Sequence, residues 1–397
     1  MAGQTLDRPL LSPSRVGDVN RSRVLQALCD HGPMSRAELA KMAGVTRATI
    51  GNIVQALIDA NLVEEGEPQT GSGRVGKPGR PVWFGPRAGL CGAAVIGAGT
   101  VEAALVNARG DMVAAAERAF DPTAPDQRHV VAAVGAALEA VIDRRAAGEL
   151  LGVGVAVPGV CDTEAGAVIG SGQVTALRGT ALADTLARRF GGPVVLDNDA
   201  RAQALGEKWF GEGRGLSTFV SVQTGHGLGV GIVLDRVLFR GVRGATGELG
   251  HTCVVADGGA RCRCGLTGCW ETIATLRWLR REASRLRLPN AGAMTGAALV
   301  ALAEDGSAKA EGLLETYADN LAVGLANLVM LHNPERLILH GDVSVEPLRA
   351  LVEHRTRARV LPHLRDGVSV ALSPLDQRAG ILGAAGLVLS ATFNLAT

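Results

Sequence analysis

SRAELAKMAGVTRATIGNIVQALI, residues 35–58, carries the start and stop signals of two successive helices. Ser35 followed by Glu38 forms a capping box, in which each side chain satisfies a backbone amide at the start of a helix. Gly44 is a residue type that ends helices, and Thr46 is a type that caps the next one. Two short helices joined in this way predict a helix-turn-helix, which places its second helix in the DNA major groove.

The second of these helices is amphipathic. Apolar residues follow the i, i+3, i+4 spacing from Ile50 to Ile58, and the opposite face is polar. Upstream, Val24, Leu25 and Leu28 predict a further helix with one apolar face. We therefore predict DNA contacts from the polar residues at the two helix starts and on the exposed face, namely Ser35, Arg36, Thr46, Arg47, Thr49 and Asn52.

A basic segment without acidic residues follows the helices. Residues 68–87 contain Arg74, Lys77, Arg80 and Arg87 between prolines and glycines. A hairpin wing of this composition can place cations along phosphates or in a minor groove, so Arg74, Lys77 and Arg80 join the predicted DNA contacts. Alone, the polar helix face also suits a solvated bundle, and the basic segment suits a solubilising linker. Together, in this order, they predict a winged helix-turn-helix.

Composition limits what the remainder of the chain can be. The length of 397 residues suggests two or three domains, and 47% hydrophobic residues argue against a largely disordered chain. The net charge is +1, so any contact with nucleic acid must come from a local basic patch. Residues 1–15 lack the apolar core of a signal peptide, and the uncharged residues 379–397 favour a buried closing helix over a membrane span. We expect a cytoplasmic protein without a membrane partner.

From Gly89 onward, apolar β-like runs alternate with helical stretches. The runs lie at residues 151–157, 193–196, 218–222, 230–234 and 336–339, and the helical stretches at 130–144, 181–190 and 311–331. Strands separated by helices predict an α/β architecture, and about 300 residues are long for one sheet, so we expect two lobes with a cleft. The predicted domains are a flexible N-terminus (1–19), a winged helix-turn-helix domain (20–86) and a two-lobed domain (87–397).

Three cysteines lie close together in the sequence after a histidine. His251 precedes Cys262, Cys264 and Cys269, and two glycines lie among the cysteines. Three thiolates and one imidazole make a closed tetrahedral set that suits Zn²⁺, and a closed set is structural rather than catalytic. Clustered cysteines in a chain without a secretory signal also favour metal binding over disulfides. The alternative is a loop with three reduced thiols.

A second set of polar residues suits a cleft. Asp197, Asn198 and Asp199 directly follow an apolar strand, at the strand end where ligands bind in open α/β sheets. Glu248 and Glu271 flank the cysteine run. Converging carboxylates and amides can hold a polyol through its hydroxyls, and an Asp among them can act as a general base. Each residue alone also suits a surface acid or a helix cap.

These residues resemble the ROK family (repressor, open reading frame, kinase), and in particular its transcriptional regulators. The resemblance runs from about Asn20 to the end of the chain. It rests on SRAELA at 35–40, GRP at 79–81, VPG at 157–159, NDA at 198–200 with GE at 206–207, GELGH at 247–251, the run 262–271 and NPER at 333–336.

The resemblance implies a winged helix-turn-helix joined to a two-lobed fold of the actin-like sugar-kinase (ATPase) type. It also implies a zinc ion, dimers or tetramers, and a sugar site made of Asn198, Asp199, Glu248, His251 and Glu271, in which the histidine also binds the zinc.

Departures from the family pattern distinguish a regulator from a kinase. Family kinases open their α/β part with Asp-x-Gly-x-Thr, and the matching stretch here has Ile96 at the Asp position. A hydrocarbon side chain cannot organise a metal ion or its water. His340 and Asp342 stand in the late glycine segment, near the position that adenosine would occupy. Asp199, the family's catalytic base, is retained, and we expect it to be inactive without a bound nucleotide.

The sugar side departs from the pattern as well. The family's sugar-contacting Asn falls at Gln173, and the Asn that follows the NDA motif is replaced by Arg201. Two roles are open for this arginine: selection of an anionic effector such as a sugar phosphate, or an ion pair with Asp197 or Asp199. The predicted effector-binding set is Gln173, Asn198, Asp199, Arg201, Glu248, His251 and Glu271.

We therefore predict a DNA-binding transcriptional regulator, a repressor whose operator affinity is controlled by a monosaccharide or a sugar phosphate. The expected partners are operator DNA and further copies of the same chain, in a homodimer or homotetramer, and the expected cofactor is structural zinc. One alternative is a hexose kinase that carries a DNA-binding extension. Another is a sugar sensor that acts through protein partners.

Overall fold

The computed structural model describes residues 13–67, 79–142 and 150–396. Within these ranges, no helix combines the length and the apolar character needed to cross a membrane. The described residues form a helical N-terminal domain with a small sheet, followed by two α/β lobes that are each built on a five-stranded sheet.

The N-terminal domain contains three helices and a three-stranded sheet. Its elements are α1 (Pro13–His31), β1 (Met34–Ser35), α2 (Arg36–Ala43), α3 (Arg47–Asp59), β2 (Val63–Glu65) and β3 (Pro81–Phe84). The strands are antiparallel in the order β1-β3-β2, so β2 and β3 flank the predicted wing. Leu28, Ile50, Val54 and Leu57 are buried, as their helical spacing predicts.

The predicted helix signals of residues 35–46 are confirmed. The Ser35 Oγ accepts the backbone N–H of Glu38 at 3.3 Å, and the Glu38 carboxylate accepts the backbone N–H of Ser35 at 2.9 Å. Gly44 follows α2 with a φ of 65°, in the left-handed region that favours glycine. The Thr46 side chain accepts the N–H of Thr49 at 3.2 Å and caps α3.

One boundary of the prediction needs correction. Residues 13–19, expected to belong to a flexible terminus, are part of α1. A proline is tolerated at the first position of a helix because that position needs no amide donor. The polar residues that follow Pro13 have no apolar periodicity, so the sequence contains no signal for this first part of the helix.

The first lobe contains seven strands and three α-helices among the described residues. They are β4 (Leu90–Ile96), β5 (Thr100–Asn107), β6 (Met112–Ala119), α4 (Gln127–Val141), β7 (Leu150–Val157), β8 (Val160–Asp162), β9 (Ala167–Gly170), α5 (Leu182–Phe190), β10 (Val194–Asn198) and α6 (Asp199–Phe210). The sheet order is β10-β7-β4-β5-β6. β4, β5 and β6 form an antiparallel series, β7 is parallel to β4, and β10 is parallel to β7. β8 and β9 pair separately.

The second lobe repeats this topology. Its elements are β11 (Phe219–Thr224), β12 (Leu228–Leu234), β13 (Val237–Leu238), α7 (Leu276–Arg285), α8 (Gly296–Glu304), α9 (Ala308–His332), β14 (Arg336–Gly341), α10 (Glu346–Arg359), β15 (Val370–Leu372) and α11 (Ala379–Thr392). The order β13-β12-β11-β14-β15 again has three antiparallel strands and two parallel ones. The predicted two-lobed α/β architecture is confirmed.

Helices α6 and α11 pack closely against each other. Every residue of α11 from Ala379 to Ser390 is buried, in agreement with the predicted closing helix. A Cβ at Gly206 would lie 2.3 Å from the Ala379 carbonyl oxygen, and one at Gly383 would lie 1.7 Å from the Ala202 carbonyl oxygen. No side chain fits between these two backbones, so glycine is required at both positions.

We expect Gly206→Ala to destabilise the protein by about 1–3 kcal/mol or more, because the added methyl group must displace the α11 backbone. The matched control is Gly312→Ala on α9, where a Cβ meets no atom within 4 Å. Alanine there should leave the stability unchanged or raise it by up to about 1 kcal/mol. Urea unfolding curves compare the two variants, and equal stabilities would contradict the packing argument.

Candidate functional site

The predicted DNA-binding helix presents its polar residues to solvent. Arg47, Thr49 and Asn52 are exposed, and they lie in the first two turns of α3. Their capping residue, Thr46, is exposed as well. This is the part of a helix-turn-helix that faces base edges and phosphates. The geometry is compatible with these predicted contacts.

Arg36 stabilises the N-terminal domain itself. Its guanidinium donates to Glu65 Oε1 at 2.6 Å, to the Gly51 carbonyl oxygen at 3.3 Å and to Gln55 Oε1 at 3.3 Å. One side chain thus connects α2, α3 and β2. The predicted DNA contacts Ser35 and Arg36 therefore have roles within the domain, the serine as the cap of α2.

The predicted wing is described in part. Arg80 is exposed directly before β3. Arg74 and Lys77, the other predicted wing contacts, lie outside the described residues. Only Arg80 can therefore be placed, and its position beside the β2–β3 pair agrees with a cation carried by a wing.

The predicted metal ligands come together. The ligand atoms of His251, Cys262, Cys264 and Cys269 all lie within 4.8 Å of one another. The Nδ1 of His251 is 3.5 Å from the Cys262 Sγ, and the Sγ atoms of Cys264 and Cys269 are 3.7 Å apart. Gly268 adopts a φ of 72° within this loop. These four side chains could hold a metal ion.

Asn198 holds the start of α6. Its Oδ1 accepts the backbone N–H groups of Ala200 and Arg201 at 3.0 and 3.1 Å. Its Nδ2 donates to the Gly159 carbonyl oxygen at 3.0 Å and to Asp199 Oδ1 at 2.9 Å. The amide therefore both caps the helix and orients the Asp199 carboxylate at the end of β10.

The Asp199 carboxyl group is half-buried, and its pKa is raised. Burial raises its pKa from 3.8 to about 6, against the opposing effect of a hydrogen bond from the Ala200 amide, and the nearby charge of Glu248 raises it further. The Glu248 Oε2 in turn lies 3.8 Å from the Nε2 of His251. Four predicted effector residues, these three and Asn198, thus form one continuous cluster.

Two further predicted effector residues, Gln173 and Glu271, approach the same glycine. A Cβ on Gly227, in the turn between β11 and β12, would lie 3.6 Å from Gln173 Nε2 and 4.0 Å from Glu271 Oε2. Arg263, which is absent from the predicted set, pairs with both oxygens of Glu271 at 2.8 and 3.1 Å. In the sequence, this contact is indicated only by the position of Arg263 between Cys262 and Cys264. A residue between two ligands that face inward tends to face away from them.

The Arg201 guanidinium is buried, and its Nε and NH1 nitrogens are engaged within the protein. The residue is 1% exposed, and its Nε pairs with Asp197 Oδ1 at 2.6 Å. Its NH1 donates to the carbonyl oxygens of Gly244 at 2.7 Å and Thr246 at 3.1 Å. Of the two roles left open by the sequence, the ion pair with Asp197 is observed, and the effector contact of Arg201 stays a prediction. Arg201 thereby fixes the segment that precedes Glu248.

The residues that the sequence analysis placed on the nucleotide side make contacts within the protein. The Nε2 of His340 lies 2.9 Å from the Ser221 Oγ, and burial lowers the pKa of His340 to about 4. The ring therefore points into the interior, and its predicted place near adenosine stays a prediction. Asp342 Oδ2 accepts the Gly296 N–H at 2.9 Å, and Ile96 is buried.

A ROK family profile matches residues 91–391, and a MarR family profile matches residues 18–74. The first match covers most of the chain, which therefore belongs to the ROK family. The predicted family and fold class are confirmed: a MarR-like winged helix-turn-helix domain precedes a ROK domain with the actin-like sugar-kinase fold.

Similar proteins include both repressors and kinases. The xylose repressor of Caldicellulosiruptor bescii is 28% identical over 393 residues, which cover 94% of this chain and 96% of the repressor. The solved structure of a ROK family transcriptional regulator, a homologue of the E. coli MLC protein, matches with a TM-score of 0.76 and 26% identity, over 96% of this chain and 98% of that one. A glucokinase of Thermotoga maritima is 36% identical, over 59% of this chain and 78% of the kinase.

We expect Asp199→Asn to stabilise the folded protein at pH 8 by about 3 kcal/mol. The carboxyl binds its proton more tightly in the folded state than in the unfolded state, so its charge destabilises the fold above pH 6. This penalty disappears as the pH falls through the folded pKa towards 3.8, and the two proteins should become equally stable near pH 4. Denaturant unfolding at both pH values measures the difference, and a constant difference would contradict it.

Proposed function

We propose that the protein is a DNA-binding transcriptional repressor whose operator affinity is controlled by a sugar. The observation that carries the proposal is the presence, in one chain, of an exposed polar recognition helix and a cleft lined by acids and amides. A relative that matches nearly the whole chain is a xylose repressor. As a homodimer or homotetramer, the protein would read a two-fold symmetric operator.

The cleft favours a neutral monosaccharide over a sugar phosphate. Hydroxyl groups can donate to the carboxylates of Asp199, Glu248 and Glu271 and can accept from an amide such as Gln173. The guanidinium of Arg201 is already engaged, and a phosphate would approach acidic groups without that compensating cation. A sugar bound between the lobes would change their closure. By linkage, a sugar that weakens operator binding also binds less well to the operator complex.

We assign the cluster of His251, Cys262, Cys264 and Cys269 to structural zinc. Three thiolates and one imidazole fill a tetrahedral coordination shell and leave no open position. Zinc bound there would fix the His251 ring, whose other nitrogen faces Glu248, and the loop that leads into Glu271. The metal would thus support the sugar site without taking part in any reaction.

A sugar kinase is the second candidate, because Asp199 is retained and part of the chain is similar to a glucokinase. Ile96 at the position of the kinase acid argues against phosphoryl transfer. ATP consumption in a coupled assay with D-glucose, D-xylose and N-acetyl-D-glucosamine distinguishes the two functions, and sugar-dependent turnover would favour the kinase.

The proposed function is tested by selecting genomic DNA fragments with the full-length protein. Fluorescence anisotropy then measures the affinity for a selected fragment with and without each of the same three sugars. We expect enrichment of a symmetric site and a loss of affinity with one sugar. If no fragment is enriched, the proposal is wrong.

We expect Arg47→Ala to weaken binding to the selected fragment by about 1–3 kcal/mol, the usual range for a specific contact. Arg118→Ala is the matched control, because Arg118 is an exposed arginine on β6 of the first lobe. Anisotropy titrations at one salt concentration compare the two variants. Equal losses would show that general charge, rather than the α3 face, determines the affinity.

We expect Cys264→Ser to lose zinc and sugar binding, because the serine hydroxyl is a poor ligand for this soft site. Operator binding without sugar should persist, since the ligand cluster lies outside the N-terminal domain. Cys253→Ser, at an exposed cysteine outside the ligand cluster, is the control and should keep its zinc. Metal analysis and calorimetry provide the readouts, and a full zinc content in Cys264→Ser would refute the ligand set.

A further inference from the structure

Helix α6 connects the candidate effector site to the N-terminal domain. It begins with Asp199 in the cleft and ends with Lys208, Trp209 and Phe210. A helix of 12 residues spans about 18 Å, so its two ends belong to different regions of the molecule. Most of its side chains are buried, including three charged ones, Arg201, Glu207 and Lys208.

The Lys208 ammonium is buried where three parts of the chain meet. Its Nζ lies 3.2 Å from Asp30 Oδ1 on α1, and it donates to the carbonyl oxygen of Ala396 at 3.2 Å. It also donates to the carbonyl oxygen of Arg236, between β12 and β13. The lysine is 2% exposed. A buried ion pair adds little net stability, but separating it leaves a charge without a partner, which is costly. The pair therefore favours one orientation of α1 relative to α6.

The neighbouring residue, Trp209, reaches the wing strand. Its ring centroid lies 5.1 Å from that of Phe84 on β3, and Phe84 stacks on Phe393 at 5.5 Å. The Trp209 Nε1 donates to the Ser390 Oγ of α11 at 3.1 Å. The end of α6 thus contacts both the first helix and the wing strand of the DNA-binding domain.

A displacement at the start of α6 cannot be absorbed by bending of the helix. The contacts at Gly206 and Gly383 bring the backbones of α6 and α11 together without intervening side chains. The Glu207 carboxylate, which is fully buried, binds the Ser373 hydroxyl and accepts the Glu212 N–H at 2.7 Å. Close-packed elements of this kind move as rigid units.

We propose that Lys208 is a positioning residue that transmits the state of the effector site to the DNA-binding domain through its buried ion pair with Asp30. The proposal rests on the proposed function, in which a sugar contacts Asp199 at the opposite end of the same helix. A shift of α6 moves Lys208, and Asp30 carries the movement into α1, which packs against α3.

A second ion pair between the same regions provides a control. Arg109, in the turn between β5 and β6, pairs with Glu64 of β2 and donates to the Phe84 carbonyl oxygen at 3.2 Å. Breaking this pair weakens the contact between the domains without altering α6. Glu64→Gln is therefore matched to variants at Lys208 and Asp30.

The experiment uses the full-length protein and its Lys208→Met, Asp30→Asn and Glu64→Gln variants. Operator affinity is measured by anisotropy with and without D-xylose, D-glucose or N-acetyl-D-glucosamine, whichever acts on the wild type, and sugar affinity is measured by calorimetry. In the wild type we expect the sugar to change operator affinity by about tenfold or more. Lys208→Met and Asp30→Asn should bind the sugar as the wild type does but should lose most of the ratio between operator affinities without and with sugar. Glu64→Gln should keep this ratio.

Two results would overturn the coupling role while leaving the proposed function intact. One is an unchanged ratio in both α6–α1 variants, and the other is an equal loss of the ratio in Glu64→Gln. If thermal unfolding shows that Lys208→Met does not fold, the result for Asp30→Asn decides the test. Asparagine keeps the shape of the side chain and can still accept the hydrogen bond from Gln26. A wild type whose operator affinity responds to none of the sugars would refute the proposed function, and the coupling with it.

Discussion

The direct contact between the backbones of α6 and α11 is the constraint around which the molecule is organised. Both helices contact the sheet of the first lobe, and α6 also packs on β11 and β12 of the second. The glycines at 206 and 383 allow this approach, because any larger residue would meet a carbonyl oxygen. The two lobes, the cleft between them and the attachment of the N-terminal domain all meet at this helix pair.

Buried charges along α6 determine what the helix is attached to. Arg201 binds carbonyl groups of the segment before Glu248, Glu207 binds Ser373 and the Glu212 amide, and Lys208 binds Asp30. Each charge would be costly without its partner, so each contact selects one arrangement of the neighbouring element. A sensor needs a small number of discrete arrangements, and buried polar contacts provide them more readily than an apolar surface that can slide.

The cleft combines retained and altered groups. Asn198, Asp199, Glu248 and His251 form a continuous polar cluster, as a sugar site requires. On the nucleotide side, the His340 imidazole faces the interior instead of the cleft. One fold can host different functions in different chains, and repressors and kinases are both among the similar proteins.

The capping box at Ser35, the helix end at Gly44, the four metal ligands and the polar strand end at Asn198 could all be predicted from the order of residues. Each is a local feature, since its partners lie within a few residues or its donor chemistry is distinctive by itself. The sequence left two roles open for Arg201, and it predicted neither the partners of Arg263 and Lys208 nor the repeated topology of the two lobes. A buried charge accepts any partner of suitable chemistry, and strand order leaves no periodic signal. Only the tertiary structure determines these contacts. A buried charge must have a partner, and the packing of segments that are distant in the sequence decides which group lies within reach.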